Sequence, residues 1–342
     1  MNRRLIITQI VIWSLIGIAL LGVLVSGVLK QGFSFVTHIS MGGNMKQVYE
    51  KTVSLTGVND LTLELTSMDV TFAASENGEL RVVQYAAGNL QESDYVTVEQ
   101  SGDKVAVRQP VWQGFWLFHM PVPQRLTVYL PASYSQSLTL RSTSGNVDIE
   151  PALNLQKLDL KLTSGNVYSE DTITAKDLRI RMTSGDVGVY ALVCDTYDIA
   201  STSGNIRGGE LTGKGSIQLT SGEIIFESIT GESHRLESTS GNIRIGALTG
   251  EADMQAASGN VTAKFMAPLS NITAHAGSGN INLTLPAGAG ATVKATCGSG
   301  NINGDIGFSY DKNGKNATAT VNGGGAVINA SVGSGNITIS QK

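Results

Sequence analysis

Histidine and cysteine are the residues most often used for metal binding and nucleophilic chemistry, and both are sparse in this sequence. The chain has six of them, Cys194, Cys297, His38, His119, His234 and His275. None belongs to an H-E-x-x-H motif or to a Cys/His cluster with the spacing of a zinc site. The sequence therefore predicts no metal centre.

Carboxylates are the next candidates, because glycan-cleaving enzymes use clustered or paired acidic side chains. Asp148, Asp159, Asp186 and Glu223 lie close to predicted turns, but they are isolated from one another in the pattern. A phosphate-binding G-x-x-x-x-G-K-[S/T] loop and a calcium-binding glycine-rich nonapeptide are both absent from the sequence. We therefore predict a protein that is not an enzyme and carries no cofactor; a glycan-cleaving enzyme stays a disfavoured alternative.

Composition favours strands and turns over helices. Charged residues make up 15% of the 342 residues, there are 40 glycines, and the net charge is −4. No basic block occurs, so a nucleic-acid partner is not expected.

Residues 5–29 form the longest apolar segment and contain no Asp, Glu, Lys or Arg. At ~1.5 Å per residue a helix of this length spans the ~30 Å hydrocarbon layer of a membrane. Arg3 and Arg4 precede it, so the positive-inside rule predicts a cytoplasmic N-terminus and a single-pass anchor with the bulk of the chain outside. A cleaved signal peptide is the alternative, although the segment is long and no A-x-A pattern follows it.

A tripeptide related to Ser-Gly-Asn recurs ten times, at steps of 20, 20, 19, 18, 19, 18, 20, 21 and 35 residues. Its glycines are Gly145, Gly165, Gly185, Gly204, Gly222, Gly241, Gly259, Gly279, Gly300 and Gly335. Val or Ile follows two positions later in every copy, and apolar residues alternate on the upstream side, as in Leu158, Leu160 and Leu162. This period of two on both sides of a glycine predicts strand, turn, strand.

One unit of about 19 residues cannot bury its apolar row alone, whereas units stacked at ~4.8 Å can. We therefore predict an all-β fold, a parallel and right-handed β-helix or solenoid with coils of ~19 residues, in addition to the N-terminal transmembrane helix. A five-bladed β-propeller with two units per blade is the alternative. The expected organisation is a cytoplasmic tail and transmembrane helix over 1–30, a linker over 31–50, an N-terminal β region that caps the solenoid over 51–135, and the solenoid over 136–342.

The residue after each glycine is predicted to form a ladder of hydrogen bonds between coils, because Asn tolerates the turn conformation and can bond to its equivalents above and below. The ladder residues are Asn146, Asn166, Asp186, Asn205, Glu223, Asn242, Asn260, Asn280, Asn301 and Asn336. With the preceding serines they form a polar ridge, which is interpreted either as purely structural or as a linear surface for glycan or protein.

The segment 111–120 is rich in aromatic residues, and it stands between prolines that exclude a regular central strand. It either plugs the open end of the solenoid or forms an interface with the membrane or a partner, through Trp112, Phe115, Trp116 and Phe118.

Three further expectations concern single positions. Cys194 and Cys297 lie about five coils apart, too far for a disulfide, and are predicted to be buried free thiols. His234 has the inward phase of a core residue. The 35-residue step contains Asn313-Gly314 and is predicted to hold one extra coil with a protruding loop or hairpin.

The repeated L-x-L-x-T-S-G-N-[V/I]-x-[I/V] pattern and the strand Leu126–Pro131 resemble the bacterial "putative adhesin" family, a domain of unknown function, over about residues 50–342. One similar protein is the membrane-anchored protein of the Lia envelope-stress operon. The resemblance implies a β-strand repeat domain and no catalytic residues. The expected function is a membrane-anchored, non-catalytic binding or scaffold module of the cell envelope, with wall glycan or an envelope protein as partner; an accessory role in an envelope-stress signalling complex is the alternative.

Overall fold

The computed structural model describes residues 45–110 and 122–342. The predicted transmembrane helix and the aromatic residues Trp112, Phe115, Trp116 and Phe118 lie outside this part of the chain. Within it, no helix is long and apolar enough to cross a membrane.

Twenty-four strands make up almost all of the regular structure of the described residues. The N-terminal strands are β1 (Lys46–Val53), β2 (Asp60–Ser67), β3 (Asp69–Ala74), β4 (Leu80–Ala86), β5 (Thr97–Ser101), β6 (Lys104–Arg108) and β7 (Gln124–Leu130). The central strands are β8 (Ser137–Ser144), β9 (Val147–Ile149), β10 (Leu153–Ser164), β11 (Val167–Ser184), β12 (Val187–Ser203), β13 (Ile206–Ser221), β14 (Ile224–Ser240) and β15 (Ile243–Ser258). The C-terminal strands are β16 (Val261–Phe265), β17 (Ile272–Ser278), β18 (Ile281–Leu285), β19 (Ala291–Ser299), β20 (Ile302–Gly304), β21 (Ser309–Tyr310), β22 (Asn316–Val321), β23 (Ala326–Ser334) and β24 (Ile337–Gln341). A short 3-10 turn covers Glu92–Asp94.

Each repeat is one coil of a stack, and each coil pairs in parallel with the next. We call the segment that ends at the corner glycine the upstream side and the segment that begins two residues after it the downstream side. Val147 pairs with Val167, which pairs with Val187, and all three are buried. This stacking confirms the predicted all-β, solenoid-like fold and excludes separate propeller blades; the handedness stays a prediction.

The central coils have a third side, which follows the downstream side and carries its own buried column. In this column Leu192 pairs with Ile173 on one coil and with Leu211 on the next. The column continues through Ile229 to Leu248. Three inward rows thus converge on one continuous apolar core.

The stack begins earlier than the first Ser-Gly-Asn copy. β2 pairs in parallel with β8, and β3 pairs in parallel with β9. The corner between them, Ser67-Met68-Asp69, is therefore a coil corner without a glycine. β1 covers the last residues of the predicted linker, and β4, β5, β6 and β7 lie within the predicted N-terminal β region.

Antiparallel strands close both ends of the stack. At the N-terminal end β5 pairs antiparallel with β6, and β4 pairs antiparallel with β1 and β7. At the C-terminal end β22 pairs antiparallel with β19 and β21. These strands cover the parallel edges of the outermost coils, which would otherwise offer unpaired backbone groups.

The last two coils are exchanged relative to their order in the sequence. β17 pairs with β23, and β23 pairs with β19, so the coil with Gly335 lies between the coils with Gly279 and Gly300. The downstream side follows the same order, from β18 to β24 to β20. The prediction of an extra coil within the 35-residue step is wrong, because those residues form the β21–β22 hairpin that covers β19.

Candidate binding surface

The coil corners are held together by a repeating set of three hydrogen bonds. The N–H of Gly185 donates to the carbonyl of Ser203 on the next coil, at 3.0 Å, and the N–H of Val187 donates to the carbonyl of Asn205, at 2.8 Å. The intervening N–H of Asp186 points to the preceding coil, where Asn166 Oδ1 accepts it at 2.8 Å. The side chain thus supplies the acceptor for a backbone N–H at the bend.

This side-chain ladder runs without a break through the described stack. It starts at Asp69, whose Oδ1 accepts the N–H of Asn146 at 2.8 Å. Asn146 Oδ1 then accepts both the backbone N–H and the amide Nδ2 of Asn166, at 3.0 and 3.2 Å. Near the C-terminal end the order is Asn280, Asn336, Asn301, so the ladder follows the exchanged coils and not the sequence. All ten predicted ladder residues lie on it, and Asp69 is an eleventh member.

Two of the ten predicted ladder positions carry carboxylates instead of amides, and both accept hydrogen bonds. Asp186 Oδ1 accepts the backbone N–H and Nδ2 of Asn205, at 2.6 and 3.0 Å. Glu223 Oε1 accepts Nδ2 of Asn242 at 2.8 Å, and its other oxygen lies 3.5 Å from Arg207. Both side chains are therefore engaged in hydrogen bonds of the ladder.

The corner glycines cannot be replaced without disturbing the ladder. Gly165 has a φ of +120°, in the region that favours glycine, and a Cβ placed there would lie 2.0 Å from the carbonyl oxygen of Gly145. Successive backbones therefore touch at the corner, and only hydrogen fits between them. The exposed threonines and serines beside these glycines form the outer edge of the ridge.

At each end of the ridge, one side chain forms hydrogen bonds with backbone groups of the outermost corner. At the N-terminal end Gln109 Oε1 accepts the backbone N–H groups of Thr66 and Ser67, at 2.8 and 3.0 Å. At the C-terminal end the ammonium of Lys315, from the β21–β22 hairpin, donates to the carbonyl of Gly300 at 2.7 Å. Sequence analysis missed both residues, because each reaches its coil only through the fold.

The two cysteines are free and buried, as predicted. Burial raises the pKa of the Cys194 thiol to about 12, and this thiol donates to the carbonyl of Thr212 at 3.2 Å. Within residues 45–110 and 122–342, no group of three or more His, Cys, Asp or Glu side chains could hold a metal ion.

His234 is a core residue with both ring nitrogens bonded. Its Nε2 lies 2.9 Å from the Thr249 carbonyl and therefore carries the proton, while Nδ1 accepts from the Tyr197 hydroxyl at 2.8 Å. Tyr197 and His234 belong to coils on either side of Gly215, whose missing side chain leaves the space that their rings bridge. Burial lowers the pKa of His234, so the neutral imidazole is the stable form.

The two flanks of the ridge differ in chemistry. On the upstream side the cations Arg141, Lys161 and Arg181 lie in register on three successive coils. On the downstream side the outward positions include Tyr168 and Tyr190, which are among the most exposed large hydrophobic side chains of the described residues. Sequence reasoning did not single out these tyrosines, although their outward phase in the alternation was a usable signal.

The sequence matches the Toastrack DUF4097 family over residues 58–229 and again over 212–340. These matches cover the stacked coils and the N-terminal cap. The chain belongs to the Toastrack DUF4097 family.

The solved structures that match this Toastrack chain share little sequence with it. A "putative adhesin" from Parabacteroides distasonis is 15% identical over 88% of this chain and 98% of that one, with a TM-score of 0.46. A "putative adhesin" from Bacteroides fragilis is 15% identical over 87% and 97% of the two chains, with a TM-score of 0.34. A "putative lipid binding protein" from Parabacteroides distasonis is 17% identical over 87% and 97%, with a TM-score of 0.32. A comparison with curated proteins gives no match.

Proposed function

We propose that this Toastrack protein is a non-catalytic, adhesin-like binding module of the cell envelope. The observation that carries the proposal is the corner ladder, which presents a continuous polar ridge on a stack whose own backbone groups are already paired. A rigid surface of this kind can bind an extended ligand without paying a large ordering entropy.

The geometry gives no support to catalysis. The carboxylates nearest the ridge, Asp186 and Glu223, are engaged as acceptors in the ladder. The coil of Asn205 separates them, and the glycan-cleaving alternative stays disfavoured.

The binding proposal is tested with the full-length chain, purified in detergent and titrated against isolated cell walls. We expect saturable binding and no release of new reducing ends from the wall polymer. Linear, non-saturating adsorption that matches the heat-unfolded chain would overturn the binding role, and wall hydrolysis would overturn the non-catalytic one.

We also propose that residues 5–29 anchor the protein in the cell membrane, with the N-terminus in the cytoplasm and the coils outside. The sequence of the apolar segment and its two preceding arginines support this topology.

The buried native thiols allow a clean topology test. A Ser164→Cys variant places one reactive thiol on the exposed ridge, whereas Cys194 and Cys297 are shielded. A membrane-impermeant maleimide should label this variant on intact cells and leave the native chain unlabelled. Labelling only after the cells are opened would contradict an external location.

The signalling alternative rests on the short cytoplasmic tail before residue 5 and on the aromatic segment 111–120, which lie outside the described part of the chain. Crosslinking in intact cells distinguishes it, because a signalling accessory should yield a membrane-protein adduct and a wall-binding module should not require one.

A further inference from the structure

Three exposed apolar side chains lie on two neighbouring coils, Tyr168 and Tyr190 on the downstream side and Val193 on the third side. Tyr190 lies two residues along the same face from Gly188, the partner of Tyr168 in the register, so the two tyrosines are diagonal neighbours. Tyr168 is 40% exposed, Tyr190 is 63% exposed and Val193 is 38% exposed. Single exposed apolar residues are ordinary on protein surfaces, but a group of this kind is a common mark of a binding site.

The residue that faces the Tyr168 ring on the next coil is a glycine and has no side chain. Gly188 pairs with Tyr168 in register on the next coil, and a Cβ at this glycine would lie 2.9 Å from the ring's Cδ1 and 3.1 Å from its Cε1. The ring therefore rests against bare backbone, and any other residue at position 188 would displace it. Gly209 has a different contact, with the backbone of Tyr190, whose carbonyl oxygen lies 2.6 Å from the Cβ position of the glycine.

Charged side chains lie around Tyr168. Asp148 is in register with Tyr168 on the preceding coil, and Arg207 is in register with Gly188 on the following coil. Burial, followed by the carboxylates of Asp186 and Asp148, raises the pKa of the Tyr168 hydroxyl, while Arg207 lowers it. All three charged groups are therefore close enough to act on the ring's polar end.

Among the ten ladder residues that follow a corner glycine, two are not asparagine, and the first of these, Asp186, lies next to Tyr168. Asn166 Oδ1 accepts one N–H, from Asp186, whereas Asn146 Oδ1 accepts two from Asn166. The carboxylate at 186 thus removes one ladder hydrogen bond and adds an acceptor at the rim of the tyrosine pair. The second departure, Glu223, holds Arg207 in place from the far side.

The geometry points to a glycan subsite in which Tyr168 and Tyr190 stack on pyranose rings while Asp148, Asp186 and Arg207 bond to their hydroxyl groups. This inference rests on the proposed binding function and specifies its ligand class. Exposed aromatic faces carry partial negative charge, which attracts the C–H groups of a sugar face. Carboxylates are strong acceptors for sugar hydroxyls, and the excess of carboxylate over cation disfavours a polyanion. The ligand class is therefore an uncharged, hydroxyl-rich glycan.

The test is calorimetric titration of the full-length chain in detergent with N-acetylglucosamine hexamer, cellohexaose and, as the anionic probe, polygalacturonate. We expect binding of at least one uncharged hexamer, and no binding of polygalacturonate. Tyr168→Ala and Tyr190→Ala should each weaken binding by about tenfold, the scale of one well-packed contact. Tyr168→Phe keeps the ring and should bind within about threefold of the native chain.

The matched control is Tyr310→Ala, which removes a tyrosine of similar exposure at the C-terminal hairpin, and it should bind like the native chain. Unchanged melting temperatures show that the variants remain folded. Equal binding by Tyr168→Ala and the native chain would overturn the subsite. A native chain that binds isolated walls but none of the uncharged hexamers would also overturn it while leaving the binding function standing. Failure to bind walls as well would remove both.

Discussion

At the scale of single residues, the corner glycines are the positions that the fold constrains most. Gly185 has a φ of +124°, and a Cβ there would lie 1.9 Å from the carbonyl oxygen of Gly165. Two separate penalties apply at this site, one from the backbone conformation and one from the contact between coils.

We predict that Gly185→Ala destabilises the protein by about 3 kcal/mol or more, because the backbone strain and the displacement of a neighbouring coil add. Gly78→Ala is the matched control, since Gly78 also has a positive φ of +71° but nothing within 4 Å of its Cβ position. This control should lose only about 1 kcal/mol. Urea unfolding measures both, and equal losses would show that contact between coils contributes little.

The core histidine gives the molecule a predictable response to acid. Because burial lowers the folded-state pKa of His234, the unfolded chain binds the proton more readily. Its contribution to stability is full above the unfolded pKa of ~6.5 and is lost as the pH falls below that value.

We predict that the native chain loses stability between about pH 6.5 and 5 more steeply than His234→Gln, which has no proton to gain at this site. His275→Gln removes an exposed histidine and should keep the native slope. The measurement is the free energy of unfolding against pH, and identical slopes for the native chain and His234→Gln would contradict the prediction.

At the scale of elements, the ladder predicts that two asparagines of the Ser-Gly-Asn repeat, Asn166 and Asn301, contribute differently to the free energy of unfolding. Asn166 Oδ1 accepts the N–H of Asp186, whereas Asn301 ends the ladder and its side chain makes no hydrogen bond within the described residues. Removal of an acceptor that serves a half-buried N–H costs about 1–3 kcal/mol.

Asn166→Ala should therefore lower the free energy of unfolding by about 1–3 kcal/mol, and Asn301→Ala by less than about 0.5 kcal/mol. Hydrogen exchange at the Asp186 amide should also become faster in the first variant only. Similar losses in both variants would mean that the asparagines act through turn propensity alone.

The element scale also shows how far the sequence leads. The even glycine spacing and the alternation around it were enough to predict the parallel coils, the buried row of Val and Ile, and the inward phase of Cys297 and His234. The tyrosine pair was within reach, since Tyr168 and Tyr190 have the outward phase. The charged side chains around Tyr168 could not be predicted from the sequence, because Arg207 becomes a neighbour of Tyr168 only through the pairing of three coils.

At the scale of the whole molecule, the exchanged order of the last coils could not be read from the pattern. Ile302 and Ile337 follow their glycines at the same offset, so either coil satisfies the apolar row above Ile281 equally well. The hydrophobic period sets the register of a strand but not the identity of its neighbour. The step of 35 residues was the one sign of the exchange in the sequence, and it predicts an extra coil instead.

A chain that ends at Gly325 should lose the coil formed by β23 and β24, and with it the parallel partner of β19 and β20. We predict faster hydrogen exchange over residues 291–304 in this truncated chain, because their coil loses its pairing with the stack and keeps only the antiparallel pairing of β19 with β22. The amides of β13 and β14 provide the internal control and should stay protected. Protection of 291–304 in the truncated chain would show that this coil can dock directly on the coil of Gly279.

The exchanged coil order also has a consequence for biosynthesis. The ribosome releases residues 291–304 before the segment that must slip in beneath them, so the C-terminal end cannot assemble by simple addition as each coil emerges. Docking there waits until β23 and β24 have been synthesised, whereas earlier coils can pack on one another in the order in which they are made. We therefore expect the duplication of one coil to be tolerated within residues 153–258, where the coils follow one another in the stack in the same order as in the sequence. The same duplication should be disruptive among the exchanged coils.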